Sequence, residues 1–566
     1  MFVDGRGVGN GDVLEADVAI VGAGAAGITL ALELEAAGMR VLLIESGDRL
    51  LETETQLLYR GENVGLPYFD LVSARLRYLG GSTNHWSGTC RPFGEFDLAS
   101  HAWIPGSGWP IAIGDIEPHY ERASDLCGLP STDWSIDTWI ERSSYPVLPL
   151  ERERIESRVA QNVRARRRRF ARNYDGDLER SSTTTVALNT NLVEIELDDD
   201  AQTVSGLLLR TLTGVEFRAR ARNYVIAAGG IENPRLLLAS TSRLPDGIGN
   251  GQDLVGRYFL EHPRFIGATF APFDPNLDIR FYLTHDAGDS RITGYLAIPE
   301  AVRASEELSD VQFRLEPRFP AFYQRAVESE DLASLRRLIG RAEEAPDLLE
   351  DLAAVADDLT SWRRFVAFGA PLPVPIPELA ATAVGDAERR AALIPEVFGD
   401  IATLVYGESF GRIPVEGVDV VTRIDPTPNP ESRVRLGTDR DALGMPMVEL
   451  DWQLAERDRD SVVRATELLG TELGRARLGR LQLTLDEESA AWPPDLAGGW
   501  HHMGTTRMHD DPSQGVVDRD CRVHGTRNLY IAGSSVFTTA SSATPTLTIV
   551  ALALRLGQHL VAETGS

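Results

Sequence analysis

The chain has 566 residues, more than one simple core accommodates, so two joined domains are expected. Hydrophobic residues make up 43% and charged residues 25%, as in a soluble globular enzyme. The net charge of −28 repels phosphate backbones and sets nucleic acid aside as a partner. No lysine occurs anywhere, which excludes a lysine Schiff base and pyridoxal phosphate chemistry.

The three cysteines, Cys90, Cys127 and Cys521, show no CxxC spacing. This argues against a disulfide framework and against a zinc or iron–sulfur site, so no metal is expected. No charged segment followed by an apolar one precedes the first strand, and no apolar run reaches membrane-spanning length. The expectation is a cytoplasmic protein without a membrane span.

The first unit reads as strand 17–21, the turn Gly22-Ala23-Gly24-Ala25-Ala26-Gly27, helix 28–37 and strand 40–44 ending at Glu45-Ser46. Gly22 permits a tight turn, and Gly24 lets a pyrophosphate approach the backbone N–H groups at the helix start. Gly27 lets helix and strand pack closely. Glu45, 23 residues after Gly22, can accept the ribose hydroxyls. It argues against a 2′-phosphate and hence against NADP, but this unit alone leaves FAD and NAD both open.

Next comes the densest small-polar loop, Gly80-Gly81-Ser82-Thr83-Asn84-His85-Trp86. Paired glycines before a polar run fit a loop pressed on a flat cofactor. His85 could bond a flavin through a ring nitrogen or serve only as a hydrogen-bonded loop histidine. The four arginines at 166–169 read as a paired surface patch in so acidic a chain. A strand is expected over 188–197, with Val193 near its middle and the acidic triplet 198–200 as a solvated turn. Another, 223–228, runs through Ala228 into Gly229-Gly230 and a helix at 233–239.

Residues 263–300 and 415–452 alternate apolar and polar, as an antiparallel sheet does. Between them, 301–400 reads as helices, including 332–342, 348–359 and 387–398, with an oily loop at 365–380. This insert is expected to cap the second domain and to serve as a lid. His501 and His502 follow. Adjacent histidines in an extended segment point to opposite faces, so one of them enters a given pocket. A near-neutral imidazole is a good base for an alcohol proton. The last strand, 528–532, stops at Gly533-Ser534, and a helix over 546–560 starts at Pro545-Thr546. No internal repeat is present.

These motifs, in this order, resemble the glucose–methanol–choline (GMC) oxidoreductases. The resemblance rests on 17–45, 80–86, 225–239, 254–263 and, above all, HHMGTTRM and ATPTLTIVALALR in 501–560. It implies an α/β fold: a Rossmann-like FAD-binding domain from discontinuous segments (13–110, 185–262, 496–566) and a substrate domain with an antiparallel sheet and a helical insertion (111–184, 263–495). It further implies FAD held by Gly22, Gly24, Ala25, Ala26, Gly27, Glu45, Ser46, Gly80, Gly81, Ser82, Asn84, His85, Trp86, Val193, Ala228, Gly229, Gly533, Ser534, Pro545 and Thr546. Among these, the backbone of Val193 meets adenine. His85 stands where some sugar and choline oxidases of the family carry a histidyl–flavin bond, so covalent attachment is an open alternative.

The resemblance makes His501 the catalytic base, with His502 the weaker candidate. One position departs from the family pattern: Thr544 stands where His or Asn usually precedes Pro-Thr. The implied reaction takes a hydride from a small-molecule alcohol, a sugar, glycoside or polyol, and passes the electrons to oxygen or another acceptor. A redox-neutral flavoprotein lyase or decarboxylase and a non-catalytic flavin-binding subunit are the rivals. Oligomeric state is open.

Overall fold

The computed structural model describes residues 1–164, 167–318, 417–485 and 491–565. Arg166 and the insert expected to be helical beyond residue 318, with its oily loop, lie outside the described residues.

Six parallel strands form the central sheet in the order β1 (Phe2–Asp4), β8 (Thr184–Leu188), β4 (Val41–Ile44), β3 (Val18–Val21), β12 (Asn223–Ile226), β21 (Leu529–Ile531). The strands VAIV, VLLI, NYVI and, at one edge, LYI are buried along their whole length. Such unbroken apolar runs suit a sheet covered on both faces. Helix α1 (Ala25–Ala36) follows β3. The C-terminal α5 (Thr546–Gly565) packs on both α1 and helix α2 (Glu117–Cys127). A second sheet, β2 (Val13–Glu15), β11 (Glu216–Arg220), β10 (Val204–Arg210) and β9 (Asn191–Leu197), shares this core.

The second core lies under a large antiparallel sheet. Its order is β20 (Gly479–Leu483), β13 (Arg264–Pro272), β17 (Gly417–Ile424), β16 (Val311–Arg318), β15 (Ser290–Ala297), β7 (Glu156–Asn162), β6 (Thr89–Cys90), with β14 (Thr284–Ala287) on β15. One face carries Phe265, Phe270, Phe313, Leu315, Val418 and Val420, packed with Val462 and Leu469 of α4 (Glu456–Arg475). The opposite face is mixed, with Arg264, Arg314 and Arg423 beside Ile266, Val421 and a small cluster of Ala160, Tyr295 and Ala297. A small sheet of β18 (Arg433–Arg440), β19 (Pro446–Asp451) and β5 (Gly61–Asn63) joins the two bodies. Helix α3 (Glu232–Ala239) follows β12 and packs on β9 and β18.

Three expectations are corrected. The strand expected over 188–197 is two, in different sheets. Asn189 takes a left-handed φ of 56°, and Asn189 and Thr190 donate their N–H groups to the carbonyls of Gly47 and Glu45. The start of the expected helical insert holds one short helix, Glu300–Glu306, and then the inner strand β16, where Val311, Phe313 and Leu315 are buried. The stretch 111–184 divides between the bodies. Tyr120, Ala123 and Leu126 of α2 join the first core, while β7 belongs to the second sheet.

Among the described residues, no helix is long and apolar enough to cross a membrane.

Candidate active site

Neighbouring parallel strands β3, β12 and β21 end side by side in glycine turns, the edge where open α/β sheets bind ligands. Gly22 has a φ of 103°, and a Cβ on it would stand 2.6 Å from the Ala227 carbonyl oxygen. A Cβ on Gly27 would overlap the Gly22 carbonyl oxygen, so helix and strand approach as closely as backbones can. Gly24, the N-cap of α1, is different: a Cβ there meets nothing within 4 Å. The same open space lies above Gly229 and Gly533, whose φ values are 90° and 109°. Ala25 and Ala26 open α1, Ser534 follows Gly533, and Pro545-Thr546 opens α5. The Ala228 N–H donates to Asn233 Oδ1 at 2.8 Å, fixing the third turn.

Glu45 is buried and braces the first turn. It accepts the N–H groups of Ala23 and Gly47, both at 2.9 Å, and the Ser46 hydroxyl at 3.4 Å. Burial pushes its carboxyl upward, partly offset by those two N–H groups and Arg77. Val193 is skipped by the β9–β10 register, which passes from Glu194↔Leu208 to Leu192↔Leu209. A bulge of this kind takes a residue out of the ladder.

The loop after Tyr78 folds onto this turn. Gly80, at φ 93°, donates its N–H to the Ala23 carbonyl at 2.8 Å. A Cβ on Gly81 would sit 3.2 Å from Gly24 Cα. The loop is held by its own side chains. Asn84 Nδ2 donates to the Leu79 and Gly81 carbonyls, Ser82 Oγ accepts the Leu76 N–H, and Trp86 Nε1 donates to the Arg168 carbonyl. His85 Nε2 lies 3.5 Å from Tyr78 Oη, and burial, followed by Arg169, holds the ring neutral.

The two histidines of the C-terminal motif diverge, as alternation requires. His502 Nε2 meets Tyr68 Oη at 2.9 Å among Phe259 and Tyr68. His501 Nδ1 lies 2.7 Å from Nδ1 of His262, two residues before β13. His262 Nε2 is 2.5 Å from the Ser541 carbonyl oxygen. A carbonyl only accepts, so His262 Nε2 carries a proton. Burial, with Arg423 next, pushes His262 down to about 3, so the ring is neutral and its Nδ1 is bare. His501 Nδ1 must then be the donor, and the lone pair of His501 is left on Nε2. Burial, then His262 and Arg423, holds His501 well below an ordinary histidine.

Beneath this pair, buried Glu261 accepts the His501 N–H at 2.9 and 3.1 Å, the His262 N–H at 2.7 Å, and the Tyr68 hydroxyl. Thr544 does not join the pair. It is 5% exposed and gives its hydroxyl proton to the Thr89 carbonyl. Sequence reasoning missed His262, Glu261 and Tyr68. The only signal was the polar Glu261-His262 ahead of Pro263 at a strand start.

The GMC oxidoreductase family model matches residues 428–553, which span β18, β19, α4, the His501 segment, β21 and the start of α5. A lycopene cyclase protein model matches residues 17–75, the first strand–turn–helix–strand unit and the segment after it. The chain is 22% identical to the fructose dehydrogenase large subunit of Gluconobacter japonicus over 97% of its own length and 98% of that protein's. It is 23% identical to 2-methyl-1,2-propanediol dehydrogenase of Mycolicibacterium austroafricanum, over 96% and 95%. Pyridoxine 4-oxidase from Mesorbium loti shares the fold, with a TM-score of 0.52 at 18% identity, covering 96% of this chain and 99% of that one. The chain is an oxidoreductase whose residues 428–553 match the GMC family model.

Proposed function

We propose that the protein is an FAD-dependent oxidoreductase that converts a CH–OH group of a sugar, glycoside or polyol to a carbonyl, with His501 as base. The observation that carries this reading is the 2.7 Å contact between His501 Nδ1 and His262 Nδ1, which leaves His501 Nε2 to take a proton.

The residues present fit FAD. Gly24, Gly229 and Gly533 leave open space at three adjacent strand ends, where the N-terminus of α1 favours a pyrophosphate. Glu45, after β4, and the Val193 bulge of β9 are the residues that would meet the adenosine. We assign 13–110, 185–262 and 496–566 mainly to this cofactor domain, with the large antiparallel sheet as the substrate side. When bound, FAD supplies the two-electron acceptor for the hydride.

His501 Nε2 takes the hydroxyl proton as the carbon loses hydride, so one proton and one hydride leave the alcohol together. The resulting imidazolium keeps its Nδ1 proton directed at His262 Nδ1. His262 thus sets the tautomer, Glu261 fixes the backbone of both histidines, and His502 with Tyr68 anchors the segment from behind. The reading does not require a bond from His85 to the flavin.

The test is anaerobic. Purified protein should carry FAD, and the flavin should bleach with at least one member of a panel of sugars, glycosides and polyols. His501→Ala should keep its flavin yet bleach more slowly by about 10²–10⁴-fold. Near-normal bleaching in that variant sinks the role of His501. Protein that neither contains nor takes up flavin sinks the whole reading. Admitting air to the bleached enzyme then tells oxygen from another acceptor.

A further inference from the structure

The mixed face of the large sheet carries more positive charge than it has carboxylates to balance. Arg264, Arg314 and Arg423 lie on β13, β16 and β17, on the face opposite the apolar core. Arg423 is directly opposite Arg264 on one side and Gln312 on the other, and Arg314 is two residues from Gln312 on the same face. Like charges directly opposite each other destabilise a sheet. Glu316 pairs with Arg264 at 3.2 Å, and Asp419 pairs with Arg318 at 3.5 Å. Elsewhere on this face, Arg158 has Glu156 at 2.5 Å. Arg314 and Arg423 have no hydrogen bond or ion pair among the described residues. Both are half-buried.

A half-buried guanidinium without a counter-charge is costly to keep. Two side by side, in a chain whose net charge is −28, are not explained by general surface charge. Burial first, then Arg314 and Arg264, pushes Arg423 down to about 10, against a smaller opposing pull from Tyr295 and Glu261. Arg423 faces Arg264 in register, and His262, two residues before Arg264, meets His501 at 2.7 Å. Arg264 is two residues from His262 along the same strand entry, so the arginine row leads to the histidine pair.

We propose that Arg314 and Arg423 form an oxyanion subsite next to His501, so that the alcohol oxidised here carries a carboxylate or a phosphate. This rests on the reading of His501 as the reacting base. A guanidinium presents paired N–H donors that match either oxyanion. The subsite thereby selects an acidic sugar or hydroxy acid over a neutral alcohol and disfavours an amino sugar.

The test uses the flavin-loaded enzyme and a matched set: methyl glucoside, glucosamine, glucuronate and glucose 6-phosphate. Binding is read from perturbation of the oxidised flavin spectrum, which needs no turnover. At least one anion should bind roughly tenfold or more tighter than the neutral and cationic members. Preference for glucuronate identifies a carboxylate, and preference for glucose 6-phosphate a phosphate. In Arg423→Met and Arg314→Met that preference should shrink by a similar factor, and added sulfate should compete only in the wild type. Equal binding of methyl glucoside and both anions, no anion-dependent change at all, or an unaltered preference in both variants overturns the subsite. None of those results touches flavin bleaching by a neutral alcohol, which tests the base separately.

Discussion

Gly230 and His502 touch backbone to backbone: a Cβ on Gly230 would overlap the His502 carbonyl oxygen. The Thr505 hydroxyl also donates to the Gly230 carbonyl, and the Ser534 hydroxyl to that of His502. The turn after β12 and the histidine segment, some 270 residues apart in sequence, are thus one rigid unit.

Gly230→Ala should therefore displace His501 without emptying the cofactor turns. A misplacement of about 1 Å costs roughly 10² in rate. The expected outcome is flavin content near wild type with flavin bleaching slowed by about that factor, read by stopped-flow absorbance.

His262→Phe should remove the acceptor that fixes the His501 tautomer. The expected loss is about 10²-fold in flavin reduction, or ~2.7 kcal/mol. Wild-type reduction should stay level as pH falls through 6.5, because burial holds His501 well below that ordinary value. In the variant, the acid limb should move. An unchanged rate and limb would exclude the tautomer role.

Glu261→Gln places an amide where the N–H groups of His501 and His262 and the Tyr68 hydroxyl converge. One NH2 then faces the N–H groups of His501 and His262 or the Tyr68 hydroxyl. Leaving buried donors unpaired costs about 1–3 kcal/mol each. A fall in melting temperature together with slowed bleaching is expected, by calorimetry and stopped flow.

Gly24→Ala and Gly27→Ala should fail differently. The Gly24 methyl meets no protein atom, so the fold should persist while flavin affinity falls by tenfold or more. The Gly27 methyl overlaps the Gly22 carbonyl, so the fold itself should be destabilised. Flavin titration and thermal melts separate the two.

Glu232 contributes a stability that depends on pH. Burial pushes its carboxyl up, yet Arg235, Arg77 and Arg75 outweigh this and hold it at about 2, against 4.5 when unfolded. A depressed native value means the contribution is complete above pH 4.5 and is lost as pH falls toward 2, roughly 3 kcal/mol in all. Glu232→Gln should remove that part of the acid sensitivity and cost about 3–5 kcal/mol at neutral pH by leaving buried guanidinium groups unpaired. The difference between wild-type and variant melting curves against pH isolates it.

The sequence by itself determined the local units. Buried strands such as VAIV and VLLI are apolar throughout, and glycines mark turns where a side chain cannot fit, so β3, α1, β4, β12, β21 and α5 were legible. His501 was legible because its neighbours form a dense motif. Only the tertiary structure decided which groups meet. Asn189 and Asn191 are two residues apart, yet a single left-handed residue sends β8 and β9 into different sheets. His262 and His501 are 239 residues apart, and no periodicity encodes a contact between two loops. The partner of His501 therefore came from the lead-in to β13, while the hydroxyl of Thr544 went to the Thr89 carbonyl. Local pattern fixes φ, ψ and burial within one element, whereas a site built from several elements depends on how their packed faces bring distant side chains within hydrogen-bond reach.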